Sequence, residues 1–221
     1  MILLAVTLVV LLQLWFAGHV AYWVNNNPGS TAFMRARLDI LREGNPKATL
    51  RHQWVPYARI SPNLKRALVA AEDAKFLEHR GFDWDGIKQA WERNRKQKTI
   101  VAGGSTISQQ LAKNLFFSGK RTWWRKGQEA VVTVMIETMM PKQRILEIYL
   151  NVIEWGDGVF GAEAAARYHY GGTAAALNAE QAARLAAMVP SPRRYGPGAN
   201  TGYLRGRTAI IYARLYQARV P

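Results

Sequence analysis

The sequence predicts a mostly helical protein, with one domain behind an N-terminal membrane-spanning helix. Helical periodicity recurs along the 221 residues, whereas the alternation of apolar and polar residues that is typical of a strand is not sustained anywhere. The first 24 residues carry no charged side chain. Hydrophobic residues make up 49% of the chain, which is enough to bury the core of one domain of moderate size.

The apolar segment MILLAVTLVVLLQLWFAGHVAYWV is long enough to cross a bilayer core of about 30 Å as a helix. It shows no clear basic start, short apolar run or small-residue cleavage site, the three marks of a cleavable signal. Trp15, Tyr22 and Trp23 suit the aromatic belt of a membrane interface. We therefore predict a transmembrane anchor over residues 1–24, a linker and membrane-proximal approach over 25–49, and a domain over 50–221.

The charges around the anchor leave its orientation open. No Lys or Arg precedes the apolar segment, whereas Arg35 and Arg37 follow it. Taken alone, the positive-inside rule would leave the domain in the cytoplasm. Either basic residues upstream of Met1 are missing, or another determinant sets the orientation.

The composition of the chain indicates an anionic partner. Lys and Arg number 30 against 15 Asp and Glu, so the formal net charge is 30 − 15 = +15. Nucleic acid, anionic lipid headgroups or a phosphorylated substrate would all match this charge. The absence of cysteine excludes disulfides, thiolate catalysis and cysteine-type zinc sites.

Capping signals place the predicted helices. Ser61 and Pro62 are typical of a helix start, Pro141 can open another helix, and Asn178 with Gln181 has the spacing of a capping box. The predicted helices cover residues 61–80, 84–97, 105–117, 122–140, 142–154, 160–170, 178–189 and 203–218.

Glu72 is an unusual residue within the first of these helices. Counting in fours from Leu64 gives Leu68, Glu72 and Phe76, so the carboxylate continues an apolar stripe. A carboxylate in that position is either paired with a base in the core or exposed in a cleft, and the position alone does not decide between them.

The stretch GGSTISQQLAKNLFF, residues 103–117, predicts a helix capped by Ser105 after two glycines. Gln110, Lys113 and Asn114 share a polar face that could hold an anionic or sugar ligand. An ordinary amphipathic helix with a solvated face explains the same pattern.

The stretch GKRTWWRKGQEAVVTVMIE, residues 119–137, places Arg121, Arg125 and Glu129 on one helical face. This face is either a surface ladder of charged pairs or a wall that binds phosphate beside an acid, because guanidinium groups match phosphate oxygens.

Five segments in this order resemble the motifs of the peptidoglycan glycosyltransferase family, which includes class A penicillin-binding proteins and monofunctional biosynthetic transglycosylases. The resemblance covers roughly residues 50–218 and is closest to the monofunctional type, because no S-x-x-K followed by K-T-G is present. The five segments are EDAKFLEHRGFD, GGSTISQQLAKN, RKGQEAVVTVMIE, KQRILEIYLN (142–151) and RLAAMVPSPRRY (184–195).

The resemblance implies a lysozyme-like helical lobe, with a smaller jaw lobe near the membrane flanking a cleft. It implies polymerisation of lipid II into β-1,4-linked glycan, with inversion at the anomeric carbon and release of undecaprenyl pyrophosphate. Glu72 would be the catalytic base. A buried approach along the apolar stripe would raise the pKa of its carboxyl group toward a useful range.

By the same resemblance, Glu129 is a second catalytic carboxylate that organises the pyrophosphate site or holds a divalent cation, Mg or Mn. No organic cofactor and no dedicated metal ligands are expected. His79 is expected to be structural, and Glu147, Tyr149 and Asn151 are expected to pair structurally within the fourth motif. The substrate-binding residues expected are Asp73, Phe76, Gln110, Lys113, Asn114, Arg121 and Arg125.

The expected partners are lipid II, the lipid-linked glycan chain and the cytoplasmic membrane, with the domain on its periplasmic face. Cell-wall synthesis or division proteins are further candidates, and nucleic acid is not expected. The alternatives are a membrane-bound muramidase, since two carboxylates also describe a glycosidase, and a non-enzymatic protein that binds anionic lipid or nucleic acid. The basic set of Lys113, Arg121 and Arg125 favours the polymerase over hydrolysis.

Overall fold

The computed structural model describes residues 1–97, 104–119 and 122–221. It is mostly helical, as the sequence predicts. Its elements are α1 (Ile2–Asn25), α2 (Ala32–Gly44), β1 (Arg51–His52), α3 (Pro62–Glu72), α4 (Trp84–Gln97), α5 (Ile107–Phe116), α6 (Trp123–Met139), α7 (Lys142–Val152), β2 (Glu154–Gly156), β3 (Val159–Phe160), α8 (Ala162–Tyr170), α9 (Ala179–Met188) and α10 (Gly202–Arg214).

The predicted helix over residues 61–80 is wrong beyond Glu72. Asp73 leaves the helical conformation with φ −161° and ψ 74°, although its N–H still donates to Val69. Its carboxylate binds other backbone and side-chain groups, an alternative that Asp often prefers to continuing a helix. Phe76 therefore enters the core from a turn instead of extending the helical stripe, and it is fully buried.

The caps agree with the sequence in most places. The hydroxyl of Ser61 accepts from the N–H of Asn63, and Asn178 and Gln181 form the predicted capping box. The expected Ser105 cap is wrong, because Thr106 caps α5 and completes a capping box with Gln109. The Thr106 hydroxyl also donates to the carbonyl of Gly81, which binds the α5 start to the turn after α3.

Two groups of helices build the core. The first contains α3, α9 and α10, which pack on one another, and the second contains α5 with α6 and α7. Helix α7 is largely enclosed, since seven of its eleven residues, Tyr149 among them, are buried. Tyr149 therefore projects from a rigid element toward the C-terminal end of α3.

A small three-stranded sheet was not predicted. Its order is β1-β3-β2, with β1 parallel and β2 antiparallel to β3. Strands of two or three residues are too short to show alternation in the sequence. Gly161 follows β3 with φ +84°, and a Cβ there would lie 2.7 Å from the carbonyl oxygen of Asn151, so only glycine fits this junction.

Helix α2 lies within the segment that the sequence analysis treated as a linker. Thr31 caps it, Met34 is buried, and Arg37 pairs with Asp157 and with Glu154 of β2. The approach to the domain is therefore an ordered part of it.

Helix α1 has the length and composition of a membrane-spanning helix. Its first eleven residues are exposed, whereas Phe16, Val20 and Trp23 are buried against the domain. Gln13 donates to Gln128 of α6 at 2.8 Å. The second half of α1 is thus packed on the domain, and the first half extends from it.

Candidate active site

Glu72 is the last residue of α3, and its side chain is only 11% exposed. The side-chain amide of Gln110 in α5 donates to Glu72 Oε2 at 2.9 Å. The hydroxyl of Tyr149 in α7 donates to Gln110 Oε1 at 2.6 Å. Because the tyrosine occupies the amide oxygen, the amide nitrogen must face the carboxylate. Three helices therefore orient Glu72 before any substrate arrives.

Burial is the main influence on the ionisation of Glu72 and raises the pKa of its carboxyl group. The Gln110 hydrogen bond, the Arg207 guanidinium and the Lys113 ammonium oppose this, and the neighbouring charge of Asp73 adds to it. The net direction is upward. A carboxylate with a raised pKa holds a proton more readily, which suits it to accept one from a hydroxyl group.

Arg207 of α10 is a residue that the sequence analysis missed. Its Nη2 lies 3.6 Å from Glu72 Oε1, and its Nε has no hydrogen-bond partner among the described residues. No motif or periodicity distinguishes it from the other basic residues of a strongly basic chain. Only the packing of α10 on α3 brings it to the carboxylate.

The two oxygens of Glu72 have different surroundings. Oε2 accepts the Gln110 hydrogen bond, whereas Oε1 faces Arg207 at a distance longer than a hydrogen bond. Among the described residues, Oε1 is therefore the less engaged of the two oxygens and the better placed to accept from a substrate hydroxyl.

Asp73 and Phe76 follow Glu72 in the chain, and both make contacts within the protein. Asp73 Oδ2 accepts from the N–H of Ile107 at 3.0 Å, and His79 Nε2 lies 2.9 Å from Asp73 Oδ1. Phe76 supports the Lys142 ammonium, which lies 4.5 Å from its ring centroid. His79 thus has the structural partner that the sequence predicts.

Glu129, the second predicted carboxylate, is buried in α6. Its Oε2 accepts from Lys126 at 3.2 Å. Its Oε1 lies 3.2 Å from Arg125 Nε, but neither atom makes a hydrogen bond within the part of the chain described. Arg125 and Glu129 share one helical face, as predicted. Arg125 Nε can still donate a hydrogen bond, and Glu129 Oε1 can still accept one. Arg121, the third predicted member, lies outside the described residues.

The three polar residues of α5 do not form one continuous ligand-facing surface. Gln110 is bound to Glu72, and Asn114 is buried with its amide donating to the carbonyl of Gln110 at 2.7 Å. Lys113 is partly exposed, with its ammonium 5.9 Å from the ring centroid of Phe33 in α2. Of the three, Lys113 has the charge and position to meet an anion near Glu72.

The site has little capacity to build a metal centre from side chains alone. Within residues 1–97, 104–119 and 122–221, no group of three or more His, Cys, Asp or Glu side chains could hold a metal ion. Glu129 already has two cationic neighbours. These residues do not fit a resident cation held by the protein alone.

Of the three residues of the fourth motif that were expected to pair structurally, Glu147 and Asn151 do so, whereas Tyr149 bonds Gln110 beside Glu72. Glu147 accepts from the N–H of Tyr57, and Asn151 bonds both backbone groups of Val55. These bonds hold the segment before α3 against α7, and so they fix the distance between Tyr149 and the cleft.

The chain is similar to known proteins along nearly its whole length. The profile of a family described as Transglycosylase matches residues 40–216. The chain is 62% identical to the biosynthetic peptidoglycan transglycosylase of Methylobacillus flagellatus, over 100% of this chain and 96% of that protein. It is 60% identical to the protein of that name from Laribacter hongkongensis, over 97% and 94% of the two chains. The corresponding protein of Bordetella pertussis is 55% identical, over 100% and 93%. The chain therefore belongs to the transglycosylase family.

Proposed function

We propose that this protein is a peptidoglycan glycosyltransferase that polymerises lipid II into β-1,4-linked glycan strands for the bacterial cell wall. The observation that carries the proposal is Glu72, a buried carboxylate with a raised pKa that Gln110 and Tyr149 orient in advance. Membership of the transglycosylase family supports it, and the domain has the lysozyme-like helical fold of that family.

In the proposed reaction, the 4-hydroxyl of one lipid-linked disaccharide attacks the anomeric carbon of the growing chain. Glu72 Oε1 accepts the hydroxyl proton as the new glycosidic bond forms. The bond between the anomeric carbon and the pyrophosphate breaks on the opposite face, so that the carbon is inverted and undecaprenyl pyrophosphate leaves. Pyrophosphate leaves as a stabilised anion, and no acid is needed to protonate it.

The leaving group needs positive charge, which Lys113 and Arg125 supply in this proposal, together with Arg121. Glu129 keeps the Arg125 guanidinium in place, and its unused Oε1 lone pair is consistent with a role in organising the pyrophosphate site. A transition state that builds up negative charge on phosphate oxygens is stabilised by cations held in advance.

The remaining predicted residues take different roles. Gln110 orients Glu72, and its amide nitrogen also donates to the carbonyl of Ser105 at 3.4 Å, which ties the residue before the α5 cap to the site. Asp73 and Phe76 shape the floor of the cleft, and Asn114 stiffens α5 beneath it. Any Mg²⁺ or Mn²⁺ would need ligands from the substrate, because the described side chains offer no complete ligand set.

We further propose that α1 anchors the protein in the cytoplasmic membrane, with the domain on the periplasmic face. The composition of α1 and the lipid-linked substrate support this location. Cell-wall synthesis or division proteins are candidate partners on that face. Hydrolysis by a muramidase is not favoured, because it has no use for the basic residues around the second carboxylate.

The direct test is incubation of the detergent-solubilised protein with labelled lipid II, with the products resolved by size. We expect ladders of lengthening glycan from the unmodified protein. Glu72→Gln should slow polymerisation by roughly 100-fold or more, because it removes the base. Glu43→Gln, an exposed change on α2, is the matched control and should polymerise normally. Shortening of preformed glycan without polymer would assign the protein to the muramidases instead.

A further inference from the structure

Two exposed tryptophans lie on one side of α4. Trp84 and Trp91 are 71% and 60% exposed. They are seven residues apart, which is close to two helical turns and places both indoles on one stripe of the helix. Lys88 lies between them on this stripe and Arg95 lies one turn beyond, and both are exposed. Large aromatic side chains grouped in water are typical of a binding surface, because they add no burial to the fold.

Contacts within the protein support the two indoles. The ring of Trp84 stacks on that of Phe82, with 5.4 Å between the centroids and 19° between the planes. The Arg95 guanidinium lies 5.4 Å from the ring centroid of Trp91. Each indole therefore has a neighbour on part of its surface and is otherwise open to solvent. A ligand that stacks on a ring of restricted motion loses less conformational entropy on binding.

Helix α4 adjoins the candidate active site. Its backbone approaches Gly104 closely, since a Cβ added there would lie 3.2 Å from the Cα of Ile87. The next residue, Ser105, accepts at 3.4 Å from the same Gln110 amide that donates to Glu72. Direct contacts thus connect α4 to the proposed base. A polymer that leaves the cleft on this side would meet the stripe of α4 next.

The spacing of the two tryptophans suits a β-1,4-linked glycan. With a rise of 1.5 Å per residue, their Cα atoms lie roughly 10.5 Å apart along the helix axis, which is close to the length of one disaccharide repeat. The face of a sugar ring that carries C–H groups packs well on the electron-rich face of an indole. Two indoles at this spacing can therefore stack on equivalent sugars of consecutive disaccharides. Lys88 and Arg95 lie beside them, where they can meet carboxylates of the peptides that the glycan carries.

A helix with aromatic and basic residues on one face also suits a membrane surface. The position of α4 argues against a bilayer as its occupant. Helix α4 adjoins the segment that leads into α5, whereas α1 contacts Phe116, the last residue of that helix, through Phe16. The ten residues of α5 separate these two contacts by about 15 Å. The candidate membrane span and the stripe are therefore at opposite ends of α5.

We propose that the stripe of Trp84, Lys88, Trp91 and Arg95 binds the growing glycan strand outside the cleft. The inference rests on the proposed function and adds to it a contact that a strand makes and that a lone lipid II molecule, held at its reacting sugar, does not. A strand bound there stays with the protein between successive additions. The stripe therefore lengthens the product without accelerating the first coupling.

The length of the product tests the proposal. Trp91→Ala should shorten the average glycan made from labelled lipid II by roughly tenfold, because the residence time of the strand falls when a large aromatic contact is lost. The rate at which two lipid II molecules form the first tetrasaccharide should stay unchanged. Trp91→Phe keeps an aromatic face and should recover most of the length. Tyr216→Ala, which removes a 66% exposed aromatic side chain outside α4, is the matched control and should make strands of normal length.

Unchanged strand length in Trp91→Ala, in a protein that polymerises lipid II, would overturn the inference and leave the proposed function intact. A binding measurement needs no turnover. Soluble, lipid-free glycan of several disaccharides should bind the Glu72→Gln protein, and adding Trp84→Ala or Trp91→Ala should raise the Kd roughly tenfold. Equal Kd values would also overturn the inference. Glycan binding that depends on Trp91, in a protein that makes no polymer, would contradict the proposed function and retain the glycan-binding surface.

A fluorescent label distinguishes the glycan from the bilayer. Because the chain has no cysteine, Glu92→Cys provides a single attachment point beside the stripe for an environment-sensitive fluorophore. In vesicles of phosphatidylethanolamine and phosphatidylglycerol, its emission should shift to the blue only when soluble glycan is added. A blue shift on reconstitution alone, without glycan, would place α4 on the bilayer and overturn the proposal.

Discussion

Because the carboxyl group of Glu72 is buried, its ionisation should determine how the activity depends on pH. Its pKa is raised above the ordinary value of 4.5, and the proposed base acts only when ionised. We therefore predict that kcat/KM rises with pH along an acidic limb whose midpoint lies above 4.5. The measurement is the initial polymerisation rate at limiting lipid II across a pH series. A limb at or below the ordinary value would contradict a buried base.

The raised pKa of Glu72 also predicts how the stability of the protein changes with pH. A carboxyl group whose folded-state pKa is raised favours the native state below about pH 4.5, and this contribution is lost as the pH rises through the folded-state pKa. As the pH rises from about 4.5 through the folded-state pKa, the free energy of unfolding of the unmodified protein should therefore fall relative to that of Glu72→Gln. Comparing the two proteins by denaturant titration at several pH values isolates Glu72 from Glu154, whose pKa burial also raises.

The Arg207 guanidinium should affect the pKa of Glu72, the proposed base. Its guanidinium lowers the pKa of Glu72 against the effect of burial. We predict that Arg207→Ala moves the acidic limb of kcat/KM to higher pH and lowers the rate at neutral pH, and that Arg207→Lys restores part of the shift. Arg205→Ala, on the same helix, is the matched control, since the exposed Arg205 side chain donates to Asn200 and not to Glu72. An unchanged pH profile in Arg207→Ala would show that the contact has no electrostatic role.

At the scale of elements, Asp73 connects the end of α3 to the start of α5. Its buried carboxylate accepts from the N–H of Ile107 and lies against His79. We predict that Asp73→Asn lowers the free energy of unfolding by about 2 kcal/mol, since charge-assisted bonds in buried positions are among the stronger ones. Asp85→Asn disrupts only an exposed pair with Lys75 and should change stability little. Denaturant unfolding of both variants compares them directly.

Local signals predicted the elements well where those signals act within one turn of chain. Ser61, Pro62 and the Asn178–Gln181 capping box located helix starts correctly. The end of α3 was not predictable in the same way, because it depends on contacts of Asp73. One partner, Ile107, is far away in the sequence, and the other, His79, lies in the irregular turn that follows the helix. The two- and three-residue strands are also outside the reach of periodicity.

The candidate site shows the same division. Glu72 is conspicuous because a carboxylate interrupts an apolar stripe, and Arg125 with Glu129 is visible from a four-residue spacing. Asn114 shares a helical face with Gln110 but turns back to bond the helix itself. Arg207 carries no signal, since its role comes entirely from the contact of α10 with α3. The spacing of residues in the sequence predicts which side chains lie together on one helix. Which side chains meet across two helices depends on tertiary packing, which the spacing does not show.

At the scale of the whole molecule, α1 belongs partly to the domain. Phe16, Val20 and Trp23 are buried against α5 and α6, whereas residues 1–11 are exposed. We predict that removing residues 1–11 leaves the thermal stability of the domain nearly unchanged, while removing residues 1–25 lowers the free energy of unfolding by about 3 kcal/mol or more. The deletion of 1–25 would also expose Phe116 and Phe117. Equal stability of the two truncated proteins would show that the second half of α1 is only a tether.

Arg144 of α7 also bonds the outer end of α1, donating to the carbonyls of Trp23 and Asn26 and to the side chain of Asn27. Helix α7 also carries Tyr149, which orients Gln110 and through it Glu72. One helix therefore joins α1 to Glu72, the proposed base. When α1 spans a bilayer, the cleft cannot swivel as it would on a flexible stalk. Under the proposed function, each glycan strand would then emerge at a constant angle to the membrane plane, and the protein itself would set the direction in which new wall material is laid down.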